Sequence, residues 1–155
     1  SPEAVFKRAP KDTEGIWLDD LGLRPRNPEQ RRAKKIRAAR MRSRWEGLLF
    51  GGVAFKYQKV VPLSELADIT RNAMNFCDVI TTSGEATGKA PELKKIQLMK
   101  NAIGDWPLAI ASGMTPEKVE GYLSYADCFL VATGVAKNFT ELDPEKVRKM
   151  AEAIR

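Results

Sequence analysis

The chain contains no histidine among its 155 residues. That absence excludes His-ligated zinc, Ser-His triads and imidazole acid–base chemistry. Proton transfer is left to Asp, Glu, Lys, Tyr, Cys or a bound ligand. Cysteine is scarce: Cys77 and Cys128 are the only two, and each opens an apolar run. They are expected as reduced, buried thiols of a cytosol-like compartment, not as a disulfide framework. No apolar stretch approaches the ~20 residues of a membrane span. No signal-peptide pattern opens the chain, and the expected location is cytoplasmic. No metal centre and no cofactor are expected.

Positive charge is present but uneven. The net charge is +6. Residues 24–44 hold ten Arg and Lys against Glu29 alone, a local +9; the remaining 16 basic and 19 acidic residues give −3. Basicity is therefore a property of one segment. Its run from Arg31 to Arg44 has the charge to grip an anionic surface. However, no aromatic interleaves with it before Trp45, so specific nucleic-acid recognition is not expected; any binding should be non-specific and salt-sensitive. A solvated outer helix is the simpler reading.

Apolar runs recur at regular intervals: Ile16 to Leu18, then 48–55, 78–83, 107–112 and 128–133. They are short, continuous and bounded by Gly, Asp or Pro. Strands buried on both faces of a parallel sheet read this way. Helical patterns fill the gaps, over 28–45, 63–75, 91–103, 116–124 and 144–154. Thr115-Pro116 and Asp143-Pro144 are N-cap plus Pro pairs that open the last two. The sequence predicts one α/β domain over residues 1–155, with 1–14 an irregular lead-in. Five strand–helix units fit the later part of a (β/α)8 TIM-type barrel; an open five-stranded flavodoxin-like sheet is the alternative. Five units do not close a barrel. A second chain or a preceding N-terminal segment is expected to complete it, or residues 1–14 to cover an edge, since open sheet edges beside apolar surface are a hazard.

The loop endings carry the candidate chemistry. The stretch DVITTSGEATG, residues 78–88, runs a strand into hydroxyl residues and two glycines. It resembles the ribose-phosphate loop of phosphoribosyltransferases. That loop expects two acids before Val-Ile and then Thr-Thr-Gly; here Cys77 precedes Asp78 and Ser83 is inserted. A barrel strand followed by its active-site loop fits better. Thr82, Ser83, Gly84 and Thr87 are candidate ligand contacts in it, because hydroxyls and free N–H groups suit phosphate oxygens. Ser112-Gly113 and Thr133-Gly134 end the last two strands, where barrels place phosphate sites. Lys56 follows the Gly51-Gly52 strand and could stabilise an oxyanion or phosphate. Asp19, beside Asp20 at the first strand's end, is the candidate proton acceptor.

Four of these stretches, Gly52 to Lys56, Asp78 to Gly88, Pro107 to Pro116 and Ala126 to Gly134, together resemble the BtpA family (biogenesis of thylakoid protein A and its bacterial relatives). The resemblance covers residues 48–155 well and residues 15–46 loosely. It implies a TIM barrel related in outline to phosphate-binding sugar and indole-pathway isomerases. The expected function is therefore phosphate binding in a barrel mouth, with a small phosphorylated sugar or nucleotide-derived substrate and an isomerase or lyase reaction. The alternatives are a phosphoribosyltransferase-like enzyme, or a non-enzymatic binding or assembly factor using the basic helix.

Overall fold

The computed structural model describes residues 2–155. Its core is one sheet of five strands: β1 (Gly15–Leu18), β2 (Leu48–Gly52), β3 (Val79–Thr82), β4 (Leu108–Ala111) and β5 (Cys128–Leu130). The strands are hydrogen-bonded in sequence order β1-β2-β3-β4-β5, and every pair is parallel. The sheet curls into a half-barrel. A flavodoxin-like sheet requires a topological switch in strand order; there is none, so the barrel reading stands and the open-sheet alternative does not.

Helices α2 (Arg31–Ser43), α3 (Leu63–Ala73) and α4 (Leu93–Ile103) connect the first four strands, and α6 (Pro144–Ala153) follows the last. They cover the convex face, where Leu49, Ile80, Leu108 and Ile110 are fully buried with Ile36, Leu66, Ile96 and Met99. The lead-in is not irregular. Residues Pro2–Arg8 form α1, which packs on α2, and its Phe6 meets Trp45 just beyond the end of α2, ring centroids 5.7 Å apart. The expected helix over 116–124 is also shorter. It consists of α5 (Pro116–Val119) and a 3-10 turn (Glu120–Tyr122), and Thr115 makes no side-chain cap bond. Asp143 does cap α6, its carboxylate accepting from the Glu145 and Lys146 N–H groups.

Two aspartates repeat one device at the N-terminal edge of the sheet. Asp78 accepts from the Leu49 N–H at 2.7 Å and pairs with Arg40 at 2.7 Å. Asp127 accepts from the Leu108 N–H at 2.8 Å and pairs with Lys100 at 2.8 Å. Each carboxylate satisfies an N–H of the preceding strand and anchors an outer helix. Asp78 thus sits at the opposite end of β3 from the glycine loop and serves the sheet framework.

Candidate functional site

All five strands point their C-terminal ends at one edge, and the loops there enclose a groove of about 350 Å³. Lys56, Thr87, Ser112, Gly113, Thr133 and Gly134 line it on the polar side. Trp17, Met114, Phe129 and Leu130 are among its apolar lining. A concave apolar wall with a few convergent polar groups is the usual form of a small-ligand site.

The β2 loop is built around close backbone contact. A Cβ at Gly52 would lie 1.8 Å from the Asp19 carbonyl oxygen, so only glycine lets the ends of β1 and β2 meet. The Asp19 carbonyl also accepts from Gln58 Nε2 at 2.7 Å. Its carboxylate is exposed and does not line the groove. Asp20 belongs to the framework: it accepts from the Gly22 N–H at 2.7 Å and pairs with Arg24 at 2.8 Å. Although burial opposes ionisation of Asp20, the Arg24 and Gly22 bonds hold its carboxyl below the usual range.

Beyond Gly52 the chain turns sharply. Ala54 and Tyr57 both adopt left-handed φ, 48° and 61°. Non-glycine residues held there cost of order 1–3 kcal/mol each and concentrate at functional loops. The turn presents Lys56, whose Nζ donates to Thr87 Oγ1 at 3.2 Å and stands 5.7 Å from the Phe55 ring centroid. The Tyr57 hydroxyl meets the same Thr87 Oγ1 at 3.2 Å and accepts from the Thr87 N–H at 3.2 Å. These Thr87 bonds, with the adjacent Lys56 charge, lower the Tyr57 pKa. Lys56, Tyr57 and Thr87 thus form one hydrogen-bonded cluster at the groove's rim.

Thr82 and Ser83 are fully buried and serve the loop, not the groove. Thr82 Oγ1 donates to the Ala54 carbonyl at 3.3 Å. Ser83 Oγ accepts from the Lys56 N–H at 2.8 Å and donates to the Gly84 carbonyl at 2.9 Å. Gly84 packs against the Lys89 carbonyl, 2.2 Å from where a Cβ would stand. Strand phase explains the burial of Thr82: Thr81 pairs with Gly52 on the concave side, which turns Thr82 to the helix side.

Lys95, on α4, went unassigned in the sequence. Its Nζ donates to the Ala54 carbonyl at 2.5 Å and the Ser83 carbonyl at 2.7 Å, tying the β2 and β3 loops together from behind. Burial pushes its pKa down to about 8 despite the attraction of Glu85 and Glu92. A mixed helical pattern gives no signal for this role, because both partners are backbone atoms distant in sequence. Tyr57 was equally hidden, since its partner Thr87 is 30 residues away.

The far side of the groove comes from β4 and β5. Ser112 has φ 77° and bridges loops, accepting from the Gly88 N–H at 3.0 Å and donating to the Ala86 carbonyl at 3.3 Å. Gly113 follows at φ 73°, with a hypothetical Cβ only 2.1 Å from the Ala90 N. At Gly134 a Cβ would fall 1.7 Å from the Met114 carbonyl oxygen. The glycine loops are therefore in direct contact along the groove. Their glycines are required first by backbone packing. The four-residue α5 is too short to offer an appreciable dipole at its N-terminus. Among the described residues no group of His, Cys, Asp and Glu could hold a metal ion, and no helix is long and apolar enough to cross a membrane. Both cysteines are free, and burial pushes the Cys77 thiol up to about 12.

Parallel strands in sequence order, each followed by a helical segment and a loop at a shared mouth, define an α/β chain of the TIM-barrel type. The chain belongs to the BtpA family, whose model matches residues 31–155. It is similar to an uncharacterised protein of Methanocaldococcus jannaschii, 29% identical over 90 residues covering 56% of this chain and 33% of the relative. It is also similar to one of Thermococcus kodakarensis, 31% identical over 83 residues, 52% of this chain and 31% of the relative. A third, from Pyrococcus abyssi, is 27% identical over 81 residues, 50% of this chain and 31% of the relative. The matched stretch thus spans about a third of the length of each.

Proposed function

We propose that this chain supplies the phosphate-binding part of a barrel mouth and takes a small phosphorylated sugar or nucleotide-derived ligand in the 350 Å³ groove. The observation that carries the reading is the meeting of Lys56, Thr87, Ser112 and the Gly113 and Gly134 loops around one concavity. The β4 and β5 loops are where barrels of this type bind phosphate. Lys56 supplies the positive charge, Thr87 and Thr133 supply hydroxyls, and the apolar wall accommodates the rest of the ligand. Thr82, Ser83 and Gly84 set the loop's shape.

An isomerase or lyase reaction fits a mouth without histidine. Lys56 would stabilise developing negative charge on oxygen, and Tyr57, with its lowered pKa beside that ammonium, would move the proton. Asp19 would take part only if a ligand extends beyond the groove toward β1. The concave sheet face supports a second component: three further parallel strands, supplied by a preceding segment or a second chain, to complete the eight of a closed barrel.

The test is calorimetric titration of ribose 5-phosphate against the wild type, Lys56→Ala and Thr87→Val. Loss of a charge-assisted hydrogen bond worth about 1.5–3 kcal/mol should weaken binding by about tenfold or more in Lys56→Ala. A smaller loss is expected for Thr87→Val. Equal affinity in all three would refute the phosphate site. Gly113→Val is a poor probe, because its side chain would collide with Ala90 and strain a left-handed φ whatever the ligand does.

A further inference from the structure

The basic helix α2 sorts its residues into two faces. Ala33, Ile36 and Ala39 are buried in the core. At 100° per residue, Arg31, Lys34, Lys35 and Arg42 then fall on the opposite, exposed side. Arg31 pairs with Glu29 at 2.5 Å. Among the described residues, Lys34, Lys35, Arg37, Arg42 and Arg44 form no ion pair with any carboxylate. Five uncompensated cations therefore lie along about 15 Å of helix.

The structure adds a feature that the sequence did not reveal. Arg37 on the flank of α2 and Arg44 at its C-cap line a groove of about 580 Å³ at the N-terminal edge of the sheet, with Trp106 and Asn75. Two carboxylates line it as well: Asp78, already paired with Arg40, and Glu46, leaving the wall with three Arg against two acids. Arg37 lies over the Phe76 ring, 5.3 Å from its centroid, and reaches the Asn75 carbonyl at 3.4 Å, which fixes its guanidinium at the groove wall. This groove is at the opposite edge from the glycine loops. A charged stripe thus runs into a cavity large enough for a nucleotide, on a chain whose remaining residues carry net −3.

We propose that α2 and this groove form a sequence-independent binding surface for single-stranded nucleic acid, gripping its phosphodiester backbone. A linear row of cations beside a nucleotide-sized cleft complements a chain of regularly spaced phosphates. An anionic bilayer fits less well. An interfacial helix buries an apolar face in the membrane, whereas the apolar residues of α2 are already committed to the core; Met41 is the one large apolar side chain on its outer side. Trp45 and Phe76 are buried, and Arg40 and Arg37 lie over their rings, so base stacking on them contributes nothing. The surface reads charge, not sequence.

The experiment is fluorescence anisotropy with labelled oligouridine and oligothymidine strands over a salt series, alongside sedimentation with phosphatidylserine-containing vesicles. The protein is the wild type and the triple variant Lys34→Glu/Lys35→Glu/Arg42→Glu, whose sites are exposed and unpaired, so its thermal midpoint should match. Both oligonucleotides should bind the wild type, with log K falling against log salt at a slope of about −3.5 for some five neutralised phosphates. The triple variant should lose about 2 from that slope and bind at least about tenfold more weakly at low salt. Undiminished binding by the variant would overturn the proposal. So would binding to vesicles without binding to either oligonucleotide, or strong preference for one base composition at physiological salt.

Discussion

The two faces of the sheet differ more than their sequences do. On the convex face, Leu49, Ile80, Leu108 and Ile110 are fully enclosed by helices. On the concave face, Trp17 is 43% and Leu48 50% exposed, at the β1 side of the curl. Toward the middle of the same face, Val79, Thr81, Ala109 and Ala111 are buried, and Thr81 Oγ1 has no hydrogen-bond partner. Both faces alternate along uniformly apolar runs, the pattern of strands covered on both sides. The convex face finds its cover within the chain; the concave face finds it at β3 and β4 but not at its β1 side. Periodicity reports what a residue is suited to touch; it does not report whether the partner lies in the same stretch of polypeptide.

Truncation on the two faces should give the largest contrast. Ile80→Ala is expected to cost about 3–4 kcal/mol, because the helix layer cannot collapse into the void. Leu48→Ala should cost below about 1 kcal/mol, since half of its side chain is already in water. Chemical denaturation of both variants checks this. Equal losses would mean that the concave face is covered in solution.

A smaller effect separates the faces at Thr81. Its hydroxyl is buried without a partner, so Thr81→Val should be neutral or stabilising by about 1 kcal/mol. Destabilisation of that size, seen as a lowered denaturation midpoint, would reveal a donor or acceptor supplied by further strands on the concave side.

Lys95 provides a subtler test, at the junction of the helix layer and the mouth. Its ammonium is desolvated but donates to two carbonyls, and these effects oppose each other. Lys95→Met should therefore shift global stability by less than about 1 kcal/mol. Exchange of the Lys56 amide should nevertheless accelerate, because the loop carrying it loses its anchor. The folded-state pKa near 8 lies below the ordinary 10.5, so the unfolded chain holds this proton more tightly. The desolvation cost is complete below pH 8 and is relieved as pH rises toward 10.5. Wild-type unfolding free energy should gain over that window relative to Lys95→Met; parallel profiles would contradict the assignment.

Strand number, order and direction were legible because each strand is a short apolar run closed by Gly, Asp or Pro. Strand ends were less so. The second run is apolar through Phe55, yet β2 stops at Gly52 where the chain turns through left-handed Ala54. Within the mouth, Lys56, Thr87, Ser112, Gly113, Thr133 and Gly134 could be placed from the strand endings alone. Whether Thr82 faced the groove or the helices depended on register, which a continuous apolar run does not encode. Tyr57 and Lys95 act through partners far along the chain, one a hydroxyl and the other a pair of carbonyls. Residue type and spacing carry no trace of such contacts.

The central claim is that a phosphorylated ligand occupies the mouth at the strands' C-terminal ends. Backbone amide NMR during titration with ribose 5-phosphate tests it most directly. Saturable shifts should cluster at Lys56, Thr87, Gly88, Gly113, Thr133 and Gly134. Shifts confined to the opposite edge around Asp78 and Asp127 or to α2, or no saturable shifts at all, would contradict it.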